Sequence, residues 1–217
     1  MGKKVDANKR QKSTSLLNRA FDLFIEKGVS KTSVSDIAER AGVAKGTFYL
    51  YFKDKYDIRN HLVVYKATQL FMDAYNSLIA DMEKRKDYDM SLEDCMYFIV
   101  DHILTVLQDN KPLLEFLHKD LSWGVFAKYM LDEKDHVALP NQEDFDFETL
   151  YKEMVKRSGS EFRDPDVMLF MIIELMGSTG YSCIMYPKTF PLDRCKPYLR
   201  AAVHDILQRH MVKETSK

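Results

Sequence analysis

Cysteine, glycine and proline are all scarce in this sequence. The three cysteines, Cys95, Cys183 and Cys195, are an odd number, lie far apart and form no CxxC pair, so neither a disulfide framework nor a zinc site is predicted. Eight glycines and six prolines among 217 residues exclude a collagen-like or disordered chain. The most apolar stretch, 167–186, is interrupted by Glu174 and by small polar residues, which favours a buried helix over a membrane span.

Recognisable signals for export, catalysis and cofactor binding are also missing. The basic N-terminus lacks the apolar run of a secretory signal, so we expect a cytoplasmic protein with no membrane partner. The nucleotide-loop, GxSxG and HExxH patterns do not occur. Glu115 and His118 have the spacing of helical di-metal sites but lack the second copy that such a site needs. We therefore expect no catalytic residues, no metal and no cofactor.

Charge is nearly balanced over the whole chain but unevenly distributed along it. The formal net charge is −1. Residues 1–60 contain thirteen Lys and Arg against seven Asp and Glu, a net of +6, and the other 157 residues contain nineteen against twenty-six, a net of −7. This asymmetry indicates a small basic zone that faces a polyanion. The first residues, rich in lysine, are expected to form a flexible, exposed tail.

Apolar residues recur at helical spacing almost throughout, which predicts an all-α protein. Gly28 is expected to stop the first helix, Ser33 and Asp36 to form a capping box, and Asp164 to cap a helix whose first residue is Pro165. We predict helices at about 9–27, 33–42, 44–50, 55–84, 91–109, 112–131, 145–157, 165–185 and 191–212.

Residues 33–52 predict a helix-turn-helix, a unit whose second helix enters the major groove of DNA. Gly42 permits the sharp reversal between its two helices, and small and apolar side chains such as Ile37 and Phe48 would pack the pair onto the first helix. The residues expected to face outward and read bases are Lys45, Gly46, Thr47 and Tyr49. The residues expected to contact phosphates are Ser33, Ser35, Tyr51 and Lys55.

At these positions the sequence resembles the TetR family of bacterial transcriptional regulators. The matching elements are Ile37-Ala38, Ala41-Gly42-Val43, Lys45-Gly46-Thr47-Phe48-Tyr49, Tyr51-Phe52 and Lys55. The resemblance implies a homodimer that binds a palindromic operator in double-stranded DNA, usually as a repressor, and is released by a small-molecule effector. It also implies an N-terminal three-helix DNA-binding domain, 1–54, and a larger C-terminal helical domain for effector binding and dimerisation, 55–217.

Methionine and aromatic residues are abundant after residue 70. Such side chains more often form a core than a ligand site, but they also line adaptable pockets. The resemblance implies an effector held between the fourth and seventh helices, of a chemical identity that the sequence does not reveal. The candidate pocket residues are Phe71, Tyr75, Tyr97, Phe98, His102, Trp123 and Phe126.

The last two predicted helices carry more apolar surface than one protomer is expected to cover. Two such helices from each of two subunits would form an isologous four-helix interface, and an internal core pair is the alternative. The candidate interface residues are Glu174, Gly177, Ser178, Tyr181, Tyr198, Ala202 and Ile206.

Two other classes of function stay open at this stage. One is a helical enzyme whose site is assembled from distant positions, and the other is a protein-interaction module without DNA activity. Steep salt dependence of binding to the DNA upstream of its own gene would distinguish a regulator from both.

Overall fold

A computed structural model of the chain describes residues 2–86, 89–120 and 147–212, and these residues are predominantly helical, with no β-strand among them. The predicted all-α fold is therefore confirmed. The helices are α1 (Gly2–Lys31), α2 (Val34–Arg40), α3 (Lys45–Phe48), α4 (Lys55–Arg85), α5 (Leu92–Asp109), α6 (Lys111–Asp120), α7 (Phe147–Arg157), α8 (Pro165–Met185) and α9 (Leu192–His210).

The observed helices differ from the predicted ones mainly near the N-terminus and at α3. The backbone is helical from Gly2 onward, so the prediction of a flexible tail is wrong, because residues 3–8 contain no proline or glycine to oppose a helix. Gly28 leaves the helical conformation (φ 80°, ψ 158°) and marks the expected stop. The predicted helix at 112–131 is described only as far as Asp120, and the rest of it lies outside the described residues.

The chain divides into two compact units. The first unit contains α1, α2, α3 and the part of α4 that ends at Ala67. The second unit contains Thr68–His118 and the residues from Phe147 onward. The predicted boundary between a DNA-binding domain and an effector-binding domain, between residues 54 and 55, lies at the start of α4. The assignment of these two functions to the two domains stays a prediction.

The first unit has one apolar core, built from the inward faces of its four helical segments. In α1 the buried residues recur at helical spacing, so one side of this helix faces the core, and the helix packs against α2. The main fully buried side chains of this core are Leu16, Leu17, Ile37, Phe48, Ile58 and Leu62.

The second unit is organised around α5 and α8. Ala74 and Leu78 of α4 pack with Cys95 and Ile99 of α5 in one buried cluster. Helix α8 buries one side within the unit and packs against α9. Ion pairs also join α5 to α9, at Asp101–Lys196 (2.7 Å), Asp94–Arg200 (2.8 Å) and Glu93–His204 (2.7 Å).

Helix α8 has the most membrane-like composition in the described part of the chain. By length and mean hydropathy (1.6) it alone among the described helices could cross a bilayer, a test that core helices of soluble proteins also pass. Its buried residues include Met168, Ile172, Met176 and Cys183, whereas Glu174 is exposed. The helix therefore has a distinct inward and outward side.

The close approach of α8 to α5 depends on Gly180. A Cβ added at Gly180 would overlap Cδ2 of buried Leu104, whereas a Cβ added at exposed Gly177, on the same helix, would meet nothing within 4 Å. Crowding in a packed core costs about 1–3 kcal/mol, and an alanine in a helix recovers about 1 kcal/mol relative to glycine.

We therefore expect Gly180→Ala to unfold at lower urea concentration than Gly177→Ala. The difference in the free energy of unfolding should be about 1–3 kcal/mol, since only the first substitution creates a clash. Equal urea midpoints for the two variants would show that Leu104 repacks without cost.

Candidate nucleic-acid interface

The end of α1 is fixed by Thr32, a buried polar residue. Its hydroxyl donates to the carbonyl oxygen of Gly28 at 2.8 Å. Because Gly28 has a positive φ, the chain turns there and Thr32 closes the turn from the inside. This contact sets the position from which α2 begins.

The start of α2 is the predicted capping box, and the structure confirms it. The Ser33 hydroxyl oxygen accepts from the Asp36 backbone N–H at 3.1 Å, and the Asp36 carboxylate accepts from the Ser33 N–H at 2.9 Å. The ammonium of Lys27 also donates to this carboxylate at 2.8 Å. The bond from Lys27 and those from Ser33 together lower the pKa of Asp36 to about 2.

A second ion pair joins α1 to α2. The guanidinium of Arg40 donates two hydrogen bonds to the Glu26 carboxylate, at 3.1 and 3.0 Å. The Arg40 bond lowers the pKa of Glu26, and the same bond raises the pKa of Arg40. Both side chains are exposed, so this pair serves alignment of the helices more than stability.

The turn between α2 and α3 has the hydrogen bonds of a Schellman motif. The N–H of Gly42 donates to the Glu39 carbonyl and the N–H of Val43 donates to the Ala38 carbonyl, both at 3.0 Å. Gly42 has a φ of 69°, a left-handed conformation that side chains disfavour. The glycine expected at the reversal is therefore required by the backbone itself.

Helix α3 is shorter than the predicted 44–50. It ends at Phe48, and Tyr49 is its C-cap, followed by a turn through Tyr51. The Phe48 ring is fully buried and contacts the rings of Tyr49 (5.4 Å between centroids) and Phe52 (5.7 Å). This buried ring anchors the short helix to the core of the first unit.

The four predicted base-reading residues lie together on α3 and its C-cap. Lys45, Gly46 and Tyr49 are exposed, and Thr47 is half-buried. The Tyr49 side chain is 53% exposed, so its ring stands away from the core although it follows the buried Phe48. Together these residues form a small surface with an ammonium group, exposed backbone and a phenol ring. We call it the α3 surface (Lys45, Gly46, Tyr49).

The predicted phosphate-binding residues surround the α3 surface in two settings. Ser33 and Ser35 are exposed at the start of α2, where the Ser33 hydroxyl oxygen accepts the Asp36 backbone N–H. Tyr51 is half-buried. The Lys55 ammonium donates to the carbonyl oxygens of Ser30 (2.9 Å) and Thr32 (3.1 Å), which leaves one of its three N–H donors for another acceptor.

The start of α4 contains a cap and an exposed aromatic ring that were not predicted from the sequence. The Asp54 carboxylate accepts from the N–H groups of Tyr56 (2.7 Å) and Asp57 (2.9 Å) and so caps the helix. The exposed ring of Tyr56 has the cations of Lys55 (5.4 Å) and Arg59 (5.6 Å) near its face. Two features of the sequence could have predicted this arrangement: the aspartate just before the helix, which is a typical N-cap, and the helical spacing of Lys55 and Arg59.

The candidate effector residues are only partly brought together. Phe71 and Tyr75 stack with ring centroids 6.4 Å apart, and both pack with Phe98 on the buried cluster of the second unit. Tyr97 instead lies under the Arg200 guanidinium at 4.8 Å, and His102 pairs with Asp73 at 2.9 Å. Trp123 and Phe126 lie outside the described residues. The pocket assignment stays a prediction.

The candidate interface residues follow the outward side of α8 and one side of α9. On α8, Glu174, Gly177 and Ser178 are exposed, and exposed Val167 and Met171 extend the same stripe. Tyr181, half-buried, stacks on His118 at 3.6 Å between ring centroids. On α9, Tyr198 is exposed, and Ala202 and Ile206 are half-buried.

The N-terminal region of the chain matches a known protein family. Residues 16–62 match the family model described as bacterial regulatory proteins, tetR family. The chain is 28% identical over 111 residues to the uncharacterized HTH-type transcriptional regulator YvdT of Bacillus subtilis, covering 51% of this chain and 53% of that protein. It is 48% identical over 50 residues to the fatty acid metabolism regulator protein of the same organism, covering 23% and 26%.

The fold of the rest is seen in solved structures. A TetR-family transcriptional regulator from Streptomyces coelicolor matches 92% of this chain and 99% of its own with a TM-score of 0.59 at 16% identity. The sequence match spans about half the length of YvdT, the first of the curated relatives. These relatives and fold neighbours are transcriptional regulators, not enzymes.

Proposed function

We propose that this chain, whose residues 16–62 match the model of the tetR family of bacterial regulatory proteins, is a DNA-binding transcriptional regulator that represses genes from a palindromic operator. The observation that carries the proposal is the α3 surface, where Lys45, Gly46 and Tyr49 are exposed beside the buried anchor Phe48.

Each member of the α3 surface suits a different task in the major groove. Lys45 would donate to the acceptor atoms of guanine, and the half-buried Thr47 would offer a hydroxyl and a methyl group. Gly46 has no side chain, so the backbone would approach base edges closely. Tyr49 would place a flat amphipathic ring against the groove.

Phosphate contacts would hold the first unit in register on the duplex. Ser33 and Ser35 stand exposed at the start of α2, beside backbone N–H groups that favour anions. Lys55 already donates hydrogen bonds to the carbonyl oxygens of Ser30 and Thr32, and it would donate its remaining N–H to a phosphate oxygen. The same lysine would then both stabilise the first unit and contact DNA. Tyr51 would add a hydroxyl.

We propose a homodimer formed through α8 and α9. The exposed apolar side chains of Val167 and Met171 on α8 and of Tyr198 on α9 support it. Exposed Glu174 and Ser178 lie on the same side of α8. A two-fold symmetric pair of this kind would present two α3 surfaces about 34–36 Å apart, which is one turn of DNA.

Release from DNA would follow binding of a small-molecule effector in the second unit. Helix α4 contributes residues to both units, so its displacement is the proposed link between effector and operator. The coupling would be about 1–3 kcal/mol, and by linkage the operator would weaken effector binding by the same factor. A regulator that binds chromosomal operators would act in the cytoplasm.

The proposal is tested by selecting duplexes from a random DNA pool with the full-length protein. We expect enrichment of a palindrome, and an affinity for it that falls about 10³-fold or more between 50 and 200 mM salt, because several phosphate contacts release counterions. The mass of the protein in light scattering should be twice 25.4 kDa. Recovery of no common sequence, together with weak binding that salt hardly changes, would contradict the proposal.

A further inference from the structure

An exposed leucine lies next to the α3 surface. Leu50 directly follows Tyr49, and its side chain is 76% exposed although Phe48, two residues earlier, is fully buried. Among the large apolar side chains that the structure describes, only Tyr198 is as exposed. The Leu50 side chain therefore contributes little to the core of the first unit and is available for contact with a partner.

Hydrogen bonds of the backbone fix the position of Leu50. Its N–H donates to the Thr47 carbonyl at 3.2 Å, and the N–H groups of Tyr51 and Phe52 both donate to the Phe48 carbonyl, at 3.0 and 3.1 Å. The buried rings of Phe48 and Phe52 contact each other, with 5.7 Å between their centroids, so the turn is anchored on both sides of Leu50. Because this backbone is already ordered, a contact made by Leu50 costs less conformational entropy.

Leu50 lies between two kinds of proposed DNA contact. Tyr49 before it belongs to the α3 surface, which would read base edges, and half-buried Tyr51 after it would contact a phosphate. Within these three residues the chain would pass from the base edges to the phosphate backbone. The Leu50 side chain would therefore lie against bases at the edge of the major groove.

The chemistry of leucine restricts what it can recognise there. Its side chain has no hydrogen-bond donor or acceptor, so against a polar base edge it would displace water without replacing the lost hydrogen bonds. The apolar group that bases present in the major groove is the 5-methyl group of thymine. Contact between this methyl group and Leu50 removes apolar surface of both partners from water. The side chain therefore favours a thymine.

We propose that Leu50 is a specificity-determining residue that recognises the 5-methyl group of one thymine in each half of the operator. The inference rests on the proposed function, since it assigns a base preference to one residue of the same DNA-binding surface. Lys45 reads hydrogen-bond acceptors, so Leu50 adds a preference of a different chemical kind. Burial of one methyl group changes the affinity of each half-site about fourfold.

The experiment uses the full-length protein and the palindrome that it selects from random DNA. Deoxyuridine, which differs from thymidine only by the missing 5-methyl group, replaces the thymines of the half-site one at a time, in both halves together. Fluorescence anisotropy at constant salt measures each affinity. We expect one position at which deoxyuridine weakens binding of the wild type about tenfold or more, because two half-sites each lose a methyl contact.

Three variants connect this loss to Leu50. Leu50→Ala should bind the thymine operator about tenfold or more weakly, and should bind the thymine and deoxyuridine duplexes equally at that position. Leu50→Met, which keeps an apolar side chain of similar volume, should restore the preference for thymine. The matched control is Ile25→Ala, which removes partly exposed apolar surface from α1 of the same unit and should keep the wild-type ratio of the two affinities.

The outcomes separate this inference from the proposed function. A deoxyuridine effect that persists unchanged in Leu50→Ala would overturn the inference, because another residue would then contact the methyl group. A half-site without a thymine that is sensitive to deoxyuridine would overturn it as well. In both cases the protein would still bind its palindrome specifically, so the proposed function would stand. Failure to enrich any palindrome would instead overturn the proposed function and this inference with it.

Discussion

Replacing Lys45 and Tyr49 together by alanine is expected to weaken binding to the selected operator about 100-fold or more, since each good base contact contributes about 1–3 kcal/mol. Both side chains are exposed on the α3 surface, and neither supplies the buried anchor, which is Phe48. The first unit should therefore keep its fold while it loses the groups that would read bases. Fluorescence anisotropy with the operator and with a scrambled duplex measures the loss.

The matched control for charge is Lys156→Ala. Lys156 is an exposed lysine of α7 in the second unit, so its removal changes the net charge equally without touching the α3 surface. Its operator affinity should stay close to that of the wild type. Retention of sequence-specific binding by the Lys45 and Tyr49 double variant, with an unchanged circular dichroism spectrum, would mean that another surface reads the operator.

Replacing Phe48 by alanine is expected to destabilise the first unit by about 3–5 kcal/mol, the range for emptying a buried aromatic site. Its ring has no exposed surface and packs beside the rings of Tyr49 and Phe52. Alanine would leave a cavity at the point where α3 is fastened to the core. DNA binding should be lost here too, but through unfolding of the first unit. Amide hydrogen exchange in α1, α2 and α3 measures this directly.

Leu50→Ala is the control for the loss of apolar volume. Leu50 is 76% exposed and lies two residues from Phe48, so its truncation should change the free energy of unfolding by no more than about 0.5 kcal/mol. If the Phe48 variant kept the slow exchange of the wild type, α3 would not depend on that ring. The two alanine variants, at buried Phe48 and at exposed Lys45 with Tyr49, thus separate folding from recognition.

The helical boundaries were largely readable from the sequence because their causes are local. Apolar spacing, the Ser33 and Asp36 capping box and Gly42 act within one or two turns, and the structure agrees with them. Local patterns also misled at the start of α8. Asp164 precedes Pro165 as predicted, but it has a φ of 45° and its side chain makes no capping bond.

The candidate site was predictable in its residue types and less so in its contacts. That Lys45 and Tyr49 face outward follows from the helical pattern around Phe48. The bonds from Lys55 to two backbone carbonyls join positions more than twenty residues apart, so no local pattern reveals them. The same holds for Arg40 and Glu26, which align α1 with α2.

The sequence by itself determined the all-helical fold, the helix-turn-helix and the match of residues 16–62 to the tetR family model, because helical periodicity, caps and a dense motif are short-range properties. Only the tertiary structure decided that Gly180 must be small beside Leu104. It also decided that Glu174 faces solvent. These outcomes depend on how helices pack side by side, and that packing joins residues whose distance along the chain carries no signal of their proximity.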